Sequence, residues 1–170
     1  MKKQILATLV LMVSVFATAT AADKKEDVCS TSKIITVKPS FTKLVVDGNV
    51  DVVLYEDNSN SQIRTFGGNC DLSATSISEK NGVLTIRNKN SKGEKVLVYV
   101  PVSNLSVIEA RGNSKISSAS VLKSPQLTLV IKGECKFNIQ ATGNIDVVDE
   151  GETEVTVEKK SISISKSAQS

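Results

Sequence analysis

Apolar and polar residues alternate along most of the chain from about Ile34 onward. A period of two places successive side chains on opposite faces of a strand, so it predicts half-buried β-strands rich in valine, isoleucine and threonine. No window of about a dozen residues keeps the helical period of 3.6 residues. This part of the chain is therefore predicted to be all-β. Its apolar alternating positions are Val50, Val52 and Leu54; Leu84 and Ile86; Val96, Val98 and Val100; Leu127, Leu129 and Ile131; Val155 and Val157; and Ile162 and Ile164.

A short unit recurs around four glycines. Gly112, Gly133 and Gly151 lie 21 and 18 residues apart, and Gly48 fits the same frame. Each glycine has an apolar residue four positions before it and another four positions after it. A repeat that carries one strand–glycine–strand unit is typical of a solenoid, in which like residues stack on like. We therefore expect a β-solenoid, a β-helix-like stack of short strands with coils of about 20 residues.

The four repeated glycines are expected to be structural. A missing side chain lets a strand bend or lets two backbones approach closely. A phosphate-binding role is disfavoured, because no glycine-rich loop in this chain precedes a predicted helix. The candidate structural glycines are Gly48, Gly112, Gly133 and Gly151.

The first residues have the order of a secretory signal peptide. Residues 1–3 form a short basic segment with two lysines, residues 5–17 are apolar with two polar interruptions, and residues 19–22 are small. The apolar core is shorter than the roughly 20 residues of a transmembrane helix, and no second apolar span follows. We therefore expect an exported protein that is periplasmic, on the cell surface or secreted. The expected division is a signal peptide at 1–22, a charged leader at 23–40, a single domain at 41–165 and a C-terminal tail at 166–170.

Composition excludes several classes of protein. Hydrophobic residues make up 40% and charged residues 23%, which is ordinary for a globular domain and excludes a disordered chain. Histidine is absent, which excludes a histidine-based catalytic triad and any zinc site that needs imidazole. The formal charge is only +3, and loss of Lys2 and Lys3 with the signal peptide lowers it by two. Such a balance gives no reason to expect a nucleic-acid partner.

Three cysteines allow at most one intramolecular disulfide. Cys135 falls on the inward phase of its strand, in register with Ser114 and Thr153, where burial keeps a thiol unreactive. Cys29 lies in the leader and Cys70 in a turn-rich segment, and both positions are expected to be accessible. We therefore expect Cys29 to pair with Cys70 and Cys135 to stay reduced. The alternative is that no disulfide forms and the leader stays free.

The densest acidic run comprises Asp146, Asp149, Glu150, Glu152 and Glu154. Clustered carboxylates can hold Ca²⁺, and paired carboxylates that face each other across a cleft can cleave glycosidic bonds. In the repeat frame, however, the three glutamates point outward along one strand at spacings of about 7 Å, which is too regular and too flat for a cage. The pattern favours a solvated, charge-patterned sheet face. We therefore predict no catalytic residue, no metal site and no cofactor.

Aromatic residues make up only 4% of the chain, which leaves few rings for a ligand platform. Tyr55 and Tyr99 fall opposite to the inward phases of their strands, so both are expected on an exposed face. They are the candidate ligand contacts of a carbohydrate-binding face. The alternative is that they are isolated surface tyrosines, which are common.

Four segments carry a family resemblance. They are FTKLVVDGNVDVVL at 41–54, NGVLTI at 81–86, VYVP at 98–101 and LSVIEARGN at 105–113. Together with the strand–glycine–strand units, they resemble the auto-transporter adhesin head GIN domain family, a domain of unknown function in exported bacterial proteins. The resemblance covers roughly residues 41–158. It implies a β-solenoid-like fold and an adhesin-type role, and it supplies no catalytic residues.

Three classes of function remain open, and the first is favoured. It is a non-enzymatic exported binding module whose partner is a polysaccharide or another cell-envelope component. The second is a glycan-active solenoid enzyme, a lyase or a hydrolase. Such an enzyme needs a cleft built from long inserted loops, whereas most segments between the strands are short here. The third is a structural or stress-related envelope protein with no small ligand.

Overall fold

Strands account for most of the structure. The computed structural model describes residues 31–37, 40–59, 61–90, 92–150, 157–158 and 161–165. In chain order the elements are β1 (Thr31–Thr36), β2 (Lys43–Gly48), β3 (Val50–Glu56), β4 (Gln62–Gly67), α1 (Asn69–Ala74), β5 (Thr75–Lys80), β6 (Val83–Asn88), β7 (Val96–Val102), β8 (Val107–Arg111), β9 (Ser114–Ser118), β10 (Gln126–Lys132), β11 (Cys135–Gln140), β12 (Asn144–Asp149), β13 (Val157–Glu158) and β14 (Ser161–Ser165).

The strands form two mixed sheets in a β-sandwich-like arrangement. One sheet has eight strands in the order β1-β4-β7-β3-β9-β11-β14-β13, and the other has six in the order β12-β10-β8-β2-β6-β5. The central strands β7, β3, β9 and β11 run parallel, as do β12, β10, β8, β2 and β6. Antiparallel strands flank both parallel blocks.

The core lies between the inner faces of the two sheets. Leu44 and Val46 of β2 are fully buried, and so are Val50 and Leu54 of β3. The intervening residues of these strands are only partly buried, so burial follows the same period of two as the sequence. Each central strand thus gives one apolar face to a shared core, which supplies most of the stabilisation of a sandwich.

The prediction of a β-solenoid is wrong. In a solenoid each coil packs on its neighbours in the chain, so the order of strands follows the sequence. Here β2 lies between β6 and β8, and β3 lies between β7 and β9. The unit formed by β6 and β7 therefore packs on one side of β2 and β3, while the unit formed by β8 and β9 packs on the other. The antiparallel strands also break the uniform direction of winding that closed coils require.

The glycine alignment nevertheless corresponds to the observed strand register. Leu129 of β10 pairs with Ile108 of β8, and Cys135 of β11 pairs with Ser114 of β9. These are the partners that alignment of Gly133 on Gly112 predicts. The repeat therefore marks neighbouring parallel strands in two sheets, and not the coils of a closed solenoid.

Three of the glycines stack at the corner where the chain leaves the six-stranded sheet and enters the eight-stranded sheet. A Cβ atom on Gly133 would lie 2.6 Å from the backbone nitrogen of Gly112. A Cβ atom on Gly112, whose φ of 70° is left-handed, would lie 3.1 Å from the backbone nitrogen of Gly48. The backbones approach too closely for side chains, which explains glycine at these corners. Gly151 lies outside the described residues.

Two local elements differ from the sequence-based expectation. The predicted leader at 23–40 contributes β1, which pairs antiparallel with β4 at one edge of the eight-stranded sheet. The turn-rich segment that follows β4 forms the helix α1, which buries Asp71 and Leu72. Both elements are short, and their stability depends on packing against the sheets and not on a periodic pattern of their own.

Two predictions concern the ends of the chain. The signal peptide expected at 1–22 and the tail expected at 166–170 both lie outside the described residues. Within the described part of the chain, no helix combines the length and the apolar character needed to cross a membrane.

Candidate functional site

Large side chains gather on the outer face of the eight-stranded sheet, where β4, β7 and β3 are neighbours. The alternate valines of β7 are buried, so Tyr99 points to the opposite, solvent-facing side. The register pairs Tyr99 with Arg64 of β4 and with Val53 of β3. Directly opposite residues share a face of a sheet, so these three side chains form a row across the outer surface.

A pocket of about 490 Å³ opens on this surface, lined by Tyr55, Arg64, Phe66 and Tyr99. Phe66 and Tyr55 lie on the strands at either side of Tyr99, each in a position diagonal to it. The rings of Phe66 and Tyr99 meet edge to face, with centroids 5.8 Å apart and planes at 87°. The volume falls within the roughly 300–1,000 Å³ that is typical of small-molecule sites.

The surroundings of Tyr55 raise the pKa of its hydroxyl. Burial raises the pKa of Tyr55 above its usual value, the charge of Asp57 raises it further, and the charge of Arg64 opposes the rise. Tyr55 therefore remains a neutral phenol at physiological pH, able both to donate and to accept a hydrogen bond. The pocket thus combines aromatic surface with a neutral hydroxyl and a cation.

Arg64 is distinguished from the other arginines by its lack of an ion pair with any described carboxylate. The chain has three arginines. The Nε atom of Arg87 lies 2.9 Å from Oδ2 of Asp47, and Arg111 pairs with the carboxylate of Glu109. The guanidinium of Arg64 is instead exposed and lines the aromatic pocket, where it can bind an anion.

Aliphatic side chains extend the pocket surface along and across the strands. Ile34 of β1 is 59% exposed and pairs with Arg64, and half-buried Leu97 of β7 pairs with Phe66. We call this surface the aromatic face; it comprises Ile34, Tyr55, Arg64, Phe66, Leu97 and Tyr99.

The outer face of the six-stranded sheet is built from ion pairs instead. Glu109 of β8 points outward but is only 4% exposed, because three cations surround its carboxylate. The Nζ atom of Lys43 lies 2.7 Å from Oε2, the Nε atom of Arg111 lies 2.8 Å from Oε1, and the Nζ atom of Lys132 lies 3.5 Å from Oε1.

These contacts determine the ionisation of Glu109. Burial alone would raise the pKa of Glu109, but hydrogen bonds from Lys43 and Arg111, together with their charges, outweigh it and lower the pKa to about 2. Two further ion pairs extend the network across neighbouring strands. We call this network the charged ladder; it comprises Lys43, Asp47, Arg87, Glu109, Arg111, Lys132 and Glu150.

The structure places the two candidate tyrosines, Tyr55 and Tyr99, in the same pocket. Sequence reasoning missed its other two members, Arg64 and Phe66. Both lie on β4, where Ile63 and Thr65 are buried and the intervening residues point outward. The alternation over residues 62–67 was the signal that could have identified this strand, and with it the two missing side chains.

The acidic run is only partly described, since Glu152 and Glu154 lie outside the described residues. Asp146 accepts a hydrogen bond of 2.7 Å from Nε2 of Gln126, and Glu150 belongs to the charged ladder. In the described part of the chain, no three histidine, cysteine, aspartate or glutamate side chains are grouped so that they could hold a metal ion.

The cysteines lie in different environments. Cys70 is exposed in α1, whereas Cys135 is fully buried in β11. The Sγ atom of Cys135 lies 3.5 Å from Oγ of Ser114 and 3.5 Å from the carbonyl oxygen of Gly112. Cys29 lies outside the described residues, so the disulfide between Cys29 and Cys70 stays a prediction.

Three solved structures described as "putative adhesin" share this fold. One from Parabacteroides merdae has a TM-score of 0.56 at 21% identity, covering 71% of this chain and 52% of that one. One from Parabacteroides distasonis has a TM-score of 0.54 at 23% identity, covering 72% and 57%. One from Bacteroides fragilis has a TM-score of 0.52 at 16% identity, covering 69% and 61%. This chain thus spans less than two thirds of each of the three.

The sequence comparisons agree with the resemblance seen in the four segments. No curated protein sequence matches the chain significantly. The family model described as "Putative auto-transporter adhesin, head GIN domain" matches residues 40–168, which is most of the chain. The chain therefore belongs to the auto-transporter adhesin head GIN domain family.

Proposed function

We propose that the protein is an exported, non-enzymatic binding module of adhesin-head type that binds a carbohydrate of the cell envelope or cell surface on its aromatic face. The observation that carries this proposal is the pocket of about 490 Å³ formed by Tyr55, Arg64, Phe66 and Tyr99. The descriptions of the family and of the three solved structures as adhesins support a binding role.

The chemistry of the pocket suits a sugar. Ligand sites are mostly apolar surfaces with a few polar groups that fix orientation. The three rings provide apolar surface for the C–H faces of a pyranose, and the hydroxyls of Tyr55 and Tyr99 can exchange hydrogen bonds with its hydroxyl groups. The pocket is open on one face of a sheet, so a bound residue can belong to a longer chain.

Binding without turnover is the favoured reading of the lining residues. Glycoside hydrolysis requires two carboxyl groups that flank the scissile bond. The four lining side chains are three aromatic rings and a guanidinium. On the other sheet, Asp47, Glu109 and Glu150 are paired with cations of the charged ladder. Reducing-sugar release from a bound polysaccharide would contradict the non-enzymatic part of the proposal.

Export supports a role outside the cytoplasm. The basic, apolar and small segments at residues 1–22 have the order of a cleavable signal peptide. Mass spectrometry of the exported protein should therefore show an N-terminus at residue 22 or 23. An intact Met1 in the exported protein would show that this segment is not removed.

The experiment that tests the binding role is a glycan array probed with the exported chain, followed by titration of the positive glycans. Tyr99→Ala removes the central ring of the pocket and should weaken binding at least about tenfold, as expected for an aromatic anchor. The matched control is Val148→Ala, which shortens a 46% exposed side chain on the other sheet and should leave binding unchanged.

A stability measurement accompanies the titration, because Tyr99 also contacts Phe66. Tyr55→Phe provides a milder variant that keeps the ring and removes only one hydroxyl. Its melting midpoint is measured in parallel, and it should bind more weakly than the wild-type chain. Equal losses in Tyr99→Ala and Val148→Ala, or a wild-type chain that binds no glycan, would refute the proposed function.

A further inference from the structure

We infer that the carbohydrate bound on the aromatic face is an acidic polysaccharide, with a carboxylate held by Arg64 and further carboxylates bound by Lys115 and Lys136. The inference rests on the proposed function, because it places the ligand at the same pocket. It adds the charge of the ligand and the direction in which the ligand runs across the sheet.

The first observation is that Arg64 forms no ion pair among the described residues. On the six-stranded sheet, Arg87 and Arg111 each lie against a carboxylate of their own or a neighbouring strand. No described carboxylate forms an ion pair with Arg64, which lines the pocket directly. A guanidinium presents a planar fork that matches a carboxylate with two parallel hydrogen bonds. Arg64 therefore selects a sugar that carries a carboxylate.

The second observation is a pair of lysines farther along the same outer face. Lys115 of β9 and Lys136 of β11 are exposed and lie directly opposite each other on adjacent strands. Like charges in this position are destabilising. Asp51, the neighbour of Lys115 on β3, is held by Lys95 at 3.1 Å. The two lysines thus form no ion pair with a described carboxylate, as expected if they bind an external anion.

The three cations are spread across the strands of one outer face, with the two lysines in the row of Phe66 and Leu97. The strand order from Arg64 is β4, β7, β3, β9 and β11, so Lys115 lies three strands away and Lys136 four. At 4.8 Å per strand, the separations measured across the strands are about 14 and 19 Å, and the register adds an offset of two residues, about 7 Å, along the strands. Cations spaced over this distance match the repeated charges of an extended polymer. A single small anion could contact Arg64 or the lysines, but not both.

The arrangement favours a polysaccharide over a membrane surface. A lipid bilayer would favour basic residues clustered around exposed apolar side chains that could enter it. Here the apolar and aromatic residues occupy the β1–β4–β7–β3 half of the face, while the two lysines lie on the other half among Ser117 and Asn138. A polar strip that leads from a sugar-sized pocket matches a hydrated polyanion.

The test compares polygalacturonate with the same polymer after methyl esterification, which removes the charges and keeps the sugars. The exported chain should bind polygalacturonate at least about tenfold more tightly, and added salt should weaken this binding. Arg64→Gln should remove most of the difference. Arg87→Gln is the matched control, because it removes one positive charge from the other sheet and should leave the preference intact.

Chain length tests the direction of binding. Lys115→Gln combined with Lys136→Gln should weaken binding of long polygalacturonate several-fold and leave a digalacturonate that reaches only Arg64 unaffected. An equal loss for both lengths would overturn the extended arrangement. Melting midpoints of Arg64→Gln and of the double lysine variant should stay near that of the wild-type chain, since the three side chains are exposed.

The outcomes separate the inference from the proposed function. Equal affinity for the charged and esterified polymers, with loss of both in Tyr99→Ala, would overturn the inference and retain a neutral carbohydrate ligand. Preferential binding to vesicles of phosphatidylglycerol and phosphatidylcholine, with none to either polymer, would overturn both. Binding that Arg64→Gln and Arg87→Gln weaken equally would show that net charge, and not this surface, attracts the polymer.

Discussion

The two outer faces of this sandwich differ in how their charged side chains are paired. On the six-stranded sheet, Glu109 is surrounded by three cations, and neighbouring ion pairs complete the charged ladder. On the eight-stranded sheet, Arg64, Lys115 and Lys136 form no ion pair with a described carboxylate, and aromatic side chains lie beside Arg64. Both faces arise from the same alternation of inward and outward residues, so the difference lies only in which residues occupy the outward positions.

This difference indicates a division of roles. Opposite charges on neighbouring strands contribute a few tenths of a kcal/mol each to stability. Because paired side chains neutralise each other's charge, they leave little capacity to bind an external ligand. Cations that form no ion pair with a described carboxylate contribute nothing comparable to stability and keep their capacity to bind anions. We therefore propose that the charged ladder serves the fold and that the aromatic face serves recognition.

The first prediction concerns the edge of the sheet that carries the aromatic face. Thr31 of β1 pairs with Gly67 at the end of β4, and Cys70 follows three residues later. Cys29 precedes Thr31 by two residues, a distance of at most about 7 Å along the chain. A disulfide between Cys29 and Cys70 should close a loop of about 40 residues and stabilise the protein by roughly 2–4 kcal/mol. Peptide mapping without reductant should show this linkage.

Two controls accompany the mapping. Cys70→Ser should lower the denaturation midpoint to that of the wild-type chain under reducing conditions, and adding Cys29→Ser should cause no further loss. A linkage that involves Cys135, or rapid alkylation of Cys135 in the native protein, would contradict both the pairing and the inward register of β11.

The second prediction concerns the corner that joins the two faces. Gly133→Val adds a branched side chain whose Cβ atom would lie 2.6 Å from the backbone nitrogen of Gly112. Backbone cannot move aside as a flexible side chain can, so we expect a loss of about 1–3 kcal/mol in the free energy of unfolding through overpacking and strain. Because the corner connects both sheets, polymer binding at the aromatic face should weaken as well. Urea denaturation gives the free energy.

A second glycine separates crowding from backbone conformation. Gly82 has a φ of 74°, but a Cβ atom there would meet only Oγ1 of Thr42, at 3.9 Å. Gly82→Ala should therefore cost only the strain of a left-handed residue, about 1 kcal/mol, without altering binding. An unchanged midpoint in Gly133→Val would refute the close approach of the stacked glycines.

Much of the fold can be predicted from the sequence, because burial in a sheet follows a period of two. The alternation identifies most strands, and the glycine spacing identifies Ile108 as the partner of Leu129. The order of the strands within each sheet cannot be predicted in this way. It depends on which side of β2 and β3 a later unit packs, and the local pattern is the same for either side. The solenoid prediction failed at this point.

The candidate site shows the same limit. The alternation of inward and outward residues along β3 and β7 places Tyr55 and Tyr99 on an exposed face. Only the strand order β4-β7-β3 brings Arg64 and Phe66 next to them. The low exposure of Glu109 could not be predicted either. Alternation assigns it an outward position, and its burial results from long side chains of three neighbouring strands that converge on its carboxylate.

The last prediction tests whether the charged ladder serves the fold alone. Glu109→Gln keeps the shape of the side chain, removes its charge and leaves three cations without this carboxylate. Those cations are 32–42% exposed and can be partly resolvated, so we expect a loss of about 1–2 kcal/mol in unfolding free energy. Affinity for polygalacturonate should stay within about twofold, because a change on the opposite outer face alters only the long-range field. Glu134→Gln, an exposed position between β10 and β11, is the matched control and should change neither quantity.

The pH dependence of this loss identifies its electrostatic origin. The pKa of Glu109 is about 2 in the folded protein and 4.5 in the absence of its neighbours. Because folding lowers this pKa, the unfolded chain takes up the proton first as the pH falls. The stabilisation is therefore fully present above about pH 4.5 and disappears towards about pH 2. The difference in unfolding free energy between the wild-type chain and Glu109→Gln should shrink over the same interval. A difference that stays constant from pH 7 to pH 2 would indicate that packing of the side chain, and not its charge, stabilises the six-stranded sheet.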